Sequence, residues 1–430
     1  MKPPEHPGAA SPAARIDMLN RRGQQLLKEG KRAAALSTFR ESLEIMDTLP
    51  EDARTAVAPV KAAVLNHVGA LIADDDPAAA IEAHQAALKI FEQTDHNPQA
   101  VLNTRLMLAD AYQRARKFYF ARKHYRAVLE WYRSRMPEER RTQRPLAASV
   151  YWHLGNIALE ESKAVEAKEK FLKAWELYRE LTDEGQEAFR PWLAATLNNL
   201  AVAEKLENHY SEAVRYYRAA LQEYRQLARR RPEVFLPYLA ATFHQLGNAF
   251  TEKKDVRDEA AGAAPLTGFG ILTLAKKEQE QKAEADRRQA EEYYRQALAL
   301  YQQLAEQDSM YAPHAATVIH NLGVLYDEHK DHARAMEFYR DALQKRRMLA
   351  EADPETFNAD VCITIFNMLT LLLARAEGGD AAALDEADAL MDEARRRLAI
   401  YPHDDGVIGG MKADLTYYRK HFDLLRRRRK

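Results

Sequence analysis

Apolar and polar positions along this chain follow a helical period, and they do so in a fixed register that recurs. A small residue is followed by alanine twelve later, an aromatic sixteen later and a small or apolar residue nineteen later. The register reads Gly23/Ala35/Phe39/Ser42, Ala109/Ala121/Tyr125/Val128, Gly155/Ala167/Phe171/Ala174, Ala201/Ala213/Tyr217/Ala220 and Gly323/Ala335/Tyr339/Ala342. Gly69/Ala80/His84/Ala87 is the same pattern shortened by one residue. Gly247/Ala290/Tyr294/Ala297 is the same pattern carrying an insertion. Two helices that cross closely need small residues where their backbones meet and a bulky residue one turn away to fill the groove. The spacing therefore predicts a helical hairpin, with the alanine pair and the aromatic on one face of its second helix. A lone hairpin leaves an apolar face bare, so the hairpins are expected to stack in series.

A proline lies ten residues before the small residue at Pro59, Pro145, Pro191, Pro237 and Pro313. Proline in the first turn of a helix forfeits no hydrogen bond, so each is expected to mark the start of a first helix. Consecutive small residues stand 46 apart from Ala109 through Gly155 and Ala201 to Gly247. The second helices must then be long, and they carry further aromatics at Tyr132, Tyr178, Tyr224 and Tyr301.

Seven such hairpins are followed by a degenerate eighth. Its first helix is the apolar stretch 359–376, and its second keeps Ala387/Met391/Ala394 after the Gly378-Gly379 break. Leu415, Tyr418, Phe422 and Leu425 then give an amphipathic capping helix. The expected organisation is a flexible tail over 1–14, a repeat array over 15–400, and a capping helix with a basic tail over 401–430. The sixth hairpin carries 31 extra residues, placed at 256–286. The apolar stretch from Ala260 to Leu274 predicts a mobile loop, and the charged run from Lys276 to Arg288 predicts a projecting helix. Phe269, Ile271, Leu272 and Leu274 either tuck against the neighbouring repeat or form a second contact with a partner.

The hairpin template resembles the tetratricopeptide repeat superfamily, and its long period is similar to the kinesin-light-chain-like variety. That resemblance implies an all-α, right-handed α-α superhelical solenoid of seven to eight hairpins with first helices lining a concave surface. It also implies that residues three before, two before and one after each small residue point into that surface. Here these are Asn66 and His67; Trp152, His153 and Asn156; Asn198 and Asn199; His244, Gln245 and Asn248; and His320 and Asn321. Amides carry donors and acceptors together, so a ladder of them suits the backbone of an extended peptide. In light-chain-like repeats an asparagine two before the small residue contacts peptide backbone; Asn199 and Asn321 match, whereas His67, His153 and Gln245 depart. The lysine and arginine clamp of chaperone-binding relatives is missing, which disfavours an acidic carboxy-terminal peptide.

Composition narrows the function further. Lys+Arg of 63 against Asp+Glu of 64 gives a formal charge of -1, so no global field selects nucleic acid or membrane. Met1 to Arg15 lacks the apolar core of a signal peptide, and no stretch is expected to approach membrane-spanning length. A cytoplasmic location is expected. The lone Cys362 excludes an internal disulfide and lies in an apolar run, as a core residue rather than a nucleophile. His329 and His332, with Asp327, Glu328 and Asp331, lack further ligands at metal spacing, and Gly268-Phe269-Gly270 lacks the lysine of a phosphate loop. No metal, cofactor, small-molecule substrate or enzymatic activity is expected. The basic clusters at Arg140, Arg141 and Arg144 and at Arg229 to Arg231 fall at helix ends. The tail from Arg426 to Lys430 reads as an exposed solubilising end. The leading reading is a scaffold or adaptor that binds a peptide or protein segment. The alternatives are a regulatory sensor subunit of a bacterial signalling or defence assembly and an RNA-binding helical repeat, against which the scarce groove cations count.

Overall fold

A computed structural model describes the backbone of residues 11–94, 97–262, 269–402 and 406–429. It describes the side chains of the same residues except 253–279 and 429. The described residues form eighteen α-helices and two short 3-10 turns, and the chain divides into two compact units, Met1–Phe189 and Arg190–Lys430.

The first unit holds the hairpins α1 (Pro12–Lys28) with α2 (Arg32–Asp47), α3 (Glu51–Ile72) with α4 (Pro77–Thr94), and α5 (Pro98–Arg114) with α6 (Phe118–Arg133). A six-residue helix α7 (Pro137–Thr142), which the periodicity does not predict, precedes the fourth hairpin, α8 (Arg144–Glu160) with α9 (Ala164–Asp183). The second unit holds α10 (Arg190–Leu206) with α11 (Tyr210–Arg230), α12 (Pro232–Gly262) with α13 (Phe269–Gln307), α14 (Ala312–Glu328) with α15 (His332–Ala352), and α16 (Pro354–Glu377) with α17 (Ala382–Leu398). The capping helix α18 (Gly406–Arg429) packs on α16 and α17.

The template residues meet as their spacing requires. A Cβ added to Gly155 would lie 2.5 Å from the Phe171 ring, and one added to Gly247 would lie 2.4 Å from the Tyr294 ring. The second-helix alanines and aromatics are fully or almost fully buried. Seven residues after the small residue the chain turns through left-handed backbone: Gly30 (φ 73), Arg116 (φ 55), Ser162 (φ 58), Asn208 (φ 61) and Lys330 (φ 64). In each turn the amide of that residue bonds back three residues and the next amide five, as Lys117 N does to Tyr112 O at 2.8 Å.

Several expectations need correction. Pro145, Pro191 and Pro313 do stand in first turns, but Pro59 and Pro237 lie inside α3 and α12. These helices start earlier because α3 has Pro50 as its cap with Glu51 and Asp52 in its first turn, and α12 opens on its own Pro232. In the insertion the backbone is helical again from Phe269, where a loop was expected to reach Leu274. The side chains of Phe269, Ile271, Leu272 and Leu274, like the tail over 1–10, lie outside the described residues. Two helices, Glu51–Ile72 and Pro354–Glu377, are long and apolar enough to cross a membrane by length and composition, where none was expected. In α16 that apolarity is used inside the unit, where Val361, Ile365, Leu369 and Leu372 are buried against α15, α17 and α18. The basic tail is not wholly free: its first residue, Arg426, pairs with Asp388.

Candidate binding face of the first helices

In the first unit the polar residues of the first helices sit between helices. Asn66 is buried; its Nδ2 donates to Thr104 Oγ1 at 2.7 Å, and its Oδ1 accepts from His84 Nδ1 at 2.9 Å. Burial holds the His84 imidazole neutral, its pKa lowered to about 4. His67 stacks on Phe39 of the preceding hairpin with centroids 5.0 Å apart, and His153 stacks on Tyr125 at 5.3 Å. Both rings are half-buried, and burial lowers both pKa values. Trp152 meets His153 edge-on at 5.1 Å, and Asn156 is half-buried.

The second unit shows one joint twice. Asn321 on α14 donates from Nδ2 to His244 Nε2 on α12 at 2.9 Å. Asn367 on α16 donates in the same way to His320 Nε2 on α14 at 3.2 Å. In both cases the asparagine two before the small-residue position of one repeat meets the histidine three before that of the previous repeat. His320 also lies 3.4 Å from Thr364 Oγ1 and is buried. Burial takes His244 to about 4 and His320 to about 3, so each ring is a neutral acceptor at Nε2. Asn66 and His320, expected to face the groove, are placed inside the stack, because their polar atoms are satisfied by the next helix. Asn198, Asn199, Gln245, Asn248 and Asn321 are half-buried.

Two amides in this joint keep unused capacity. Asn321 Nδ2 spends its hydrogens on His244 and on Asn248 Oδ1, the latter at 3.0 Å, and Asn248 Oδ1 also accepts from Tyr294 Oη at 2.9 Å. Among the described residues this leaves Asn321 Oδ1 as an acceptor and Asn248 Nδ2 as a donor, side by side on adjacent first helices. One residue of an extended peptide offers the complementary pair, because its own N–H and C=O point to the same side.

The register reading missed two rows. Buried threonines five before the small position, Thr104, Thr196, Thr242 and Thr364, bond to main-chain carbonyls one turn earlier. Nine before it stand Trp192, Tyr238 and His314, partly open to solvent. Both rows share the register of the template and could have been found in it.

Candidate chemistry is sparse. Burial raises the Cys362 thiol to about 12, as befits a core residue. His329 Nδ1 bonds to Leu325 O at 2.9 Å and His332 Nδ1 to Asp327 at 3.0 Å, so these histidines close a turn. Glu204, Glu207 and His209 bring potential ligand atoms within 4.8 Å of one another, with His209 Nδ1 already 3.0 Å from Glu204. An apolar groove of about 920 Å³, lined by Met310, Pro313, Met348 and Phe357 among others, contains none of the amide row.

A tetratricopeptide repeat family model matches residues 193–228 and 315–355, which are the α10/α11 and α14/α15 hairpins. No curated protein matches the chain in sequence. Among solved structures, a Signal Transduction ATPase with Numerous Domains from Pyrococcus horikoshii, described as carrying a tetratricopeptide repeat sensor, aligns at 11% identity and a TM-score of 0.55. The alignment covers 96% of this chain and 50% of that one, and it shows a shared helical-repeat fold. The apo quorum sensor NprR from B. thuringiensis aligns at 14% identity over 78% of this chain and 77% of its own, with a TM-score of 0.49. Apo RapI aligns at 15% over 78% and 99%, with a TM-score of 0.47.

Proposed function

We propose, from the premise that this chain is a tetratricopeptide repeat protein, that it is a non-enzymatic scaffold or adaptor whose first-helix face binds an extended peptide or protein segment. The observation that carries the reading is the acceptor of Asn321 beside the donor of Asn248, both oriented by bonds within the stack and both left to pair with the N–H and C=O of one extended residue. Such orientation is set before binding, which lowers the ordering cost of complex formation. Backbone pairing gives affinity without demanding a charge, in keeping with the near-neutral chain.

The test is recovery of partners from lysate by the full chain and by an Asn199→Ala/Asn321→Ala/His244→Ala variant whose helicity is unchanged. The variant should lose a partner that the parent retains; identical recovery would refute the face as the site. A second reading, a regulatory sensor, is supported by the repeated histidine–asparagine joint, because a ligand that competes for Asn321 or Asn367 would alter how adjacent repeats meet. Scattering profiles of the chain with and without a bound peptide should then differ, and superimposable profiles would remove this second reading.

A further inference from the structure

We infer that two copies of this chain form a two-fold dimer in which the exposed face of α18 of each copy lies in the apolar groove between α13 and α15 of the other. The groove, of about 920 Å³, is walled by Ala305 and Glu306 on α13, by Lys345, Met348 and Leu349 on α15, and by Phe357 on α16. Met310 and Met348, which also line it, are 60% and 63% exposed. The hairpin template does not call for the second of these. Met348 stands thirteen residues after its template alanine, and the six other hairpins carry Thr48, Gln93, Ser134, Glu180, Gln226 and Gln303 there, all polar. An apolar, flexible side chain placed in solvent at that one hairpin suits a surface that is covered by a partner.

The outer face of α18 has the matching chemistry. Met411 and Phe422 are buried on its inner side, where the helix packs on α16 and α17. The outer side exposes Ala413, Tyr417, Lys420, Leu424 and Arg427, which fall on one stripe at helical spacing. Tyr417 is 52% exposed and Leu424 is 42% exposed. A helix anchored by its inner side cannot turn this stripe into the groove of its own chain. A second copy can receive it.

Charge fixes the direction of the contact. Lys345 stands at the groove end nearer the start of α15. At the other end Glu306 and Asp308 lie sixteen and eighteen residues after Ala290, and α15 has Glu351 and Asp353 at the same two positions after Ala335. On α18 the order is opposite in sign, with Asp414 beside the start of the stripe and Arg427 and Arg428 at its end. Among the described residues no ion pair engages Glu306, Asp308, Glu351, Asp414, Lys420 or Arg427. If α18 runs parallel to α15, Arg427 enters the acidic end and Asp414 approaches Lys345; the reverse direction sets like charges together. The lengths agree as well. Tyr417 and Leu424 are seven residues apart, ~10.5 Å along a helix, and so are Lys345 and Ala352 of the groove wall.

The placement of the two surfaces favours a closed pair. α16 contributes Phe357 to the groove and also packs against α18, so groove and stripe flank one helix. Neighbouring surfaces can be exchanged reciprocally about a two-fold axis, which makes both contacts at once and leaves neither free for a third copy. A basic amphipathic helix of another protein would fill the groove but leave Tyr417 and Leu424 bare. A second copy covers both. The contact uses none of the amide row, so it adds to the proposed peptide-binding role and does not compete with it.

The experiment is sedimentation velocity of the full chain at up to ~100 μM, alongside Met348→Glu, Leu424→Glu and their equimolar mixture. The parent should sediment as a dimer. Each variant, with helicity and melting temperature retained, should have its dissociation constant raised at least tenfold, because each spoils both contacts of its own dimer. The mixture keeps one intact contact, between the groove of the Leu424→Glu chain and α18 of the Met348→Glu chain, and should form one-to-one dimers. Glu306→Lys should weaken the dimer severalfold, and Glu306→Lys with Arg427→Glu in one chain should restore it. If a glutamate variant loses helicity, this charge exchange decides alone, and failure of the second change to restore the dimer overturns the inference. A parent that is monomeric throughout, a parent that assembles beyond two copies, or a mixture that stays monomeric would also overturn it. A monomeric parent that captures a basic amphipathic helical peptide, and loses it in Met348→Glu, would assign the groove to a foreign partner instead.

Discussion

Replacing Gly155 with alanine sets two opposed effects against each other. In an exposed helix the change gains about 1 kcal/mol, because glycine loses more backbone freedom on folding. Here the new Cβ would stand 2.5 Å from Phe171 Cε1, 2.7 Å from Cδ1 and 2.8 Å from Cζ. Ordinary contact begins near 3.4 Å, so the ring would have to withdraw by about 0.9 Å, and Phe171 is fully buried with no open side to enter. Overpacking of that kind costs ~1–3 kcal/mol. The packing effect wins, and we expect a net loss of about 1–2 kcal/mol. Ala109 and Ala201 occupy the same position opposite Tyr125 and Tyr217, so the hairpin itself admits a methyl group and the experiment reads the ring placement of the fourth hairpin alone. The assay is urea denaturation followed by far-ultraviolet circular dichroism, for Gly155→Ala with and without Phe171→Leu. In the Phe171→Leu background the substitution should become neutral or stabilising. If Gly155→Ala stabilises the chain by the same amount in both backgrounds, close approach is not why glycine stands there.

Further outcomes follow from the buried groups. His84, His124 and His244 are pulled from 6.5 to about 4 and His320 to about 3, mainly by burial. The folded state then prefers neutral rings, so their stability contribution is fully present above pH 6.5 and is lost as pH falls from 6.5 towards 4. The melting temperature should drop between pH 7 and pH 5, a range with few carboxylate titrations, and a flat profile there would contradict the burial of these rings. Arg122, its side chain 10% exposed, bridges Glu161 and Glu166 between the third and fourth hairpins. Arg122→Met should cost about 1–3 kcal/mol by urea denaturation, because two partly buried carboxylates lose their counter-ion; an unchanged midpoint would show the bridge to be dispensable. Cys362 is fully buried with its thiol raised to about 12. An aromatic disulfide reagent should leave it untouched in the native chain at mildly alkaline pH and titrate it fully in denaturant, so rapid native reaction would refute its core placement.

Much of the fold was legible because its determinants are local. The small residue, the alanine pair and the aromatic report a helix crossing wherever they recur, and the eight hairpins follow. Helix starts were less legible, since proline tolerates the first turn without requiring it: Pro59 and Pro237 sit a turn or more inside helices that Pro50 and Pro232 already open. The polar face was legible in position but not in role. An asparagine on a first helix satisfies the pattern equally if it meets solvent or the next repeat, and only the structure shows Asn66 and His320 turned inward while Asn321 and Asn248 keep spare capacity.

Four of the hairpin turns place Arg116, Ser162, Asn208 and Lys330 in left-handed backbone, while the first turn uses Gly30. A residue bearing a Cβ adopts that conformation at a cost of ~1–2 kcal/mol, and glycine does not. Asparagine tolerates that region, so the chain carries three separate reserves of stability, at Arg116, Ser162 and Lys330, each confined to one hairpin. Glycine at Arg116, Ser162 or Lys330 would relieve that strain in its own hairpin and leave the binding chemistry unaltered, so stability and recognition can be adjusted independently, one repeat at a time.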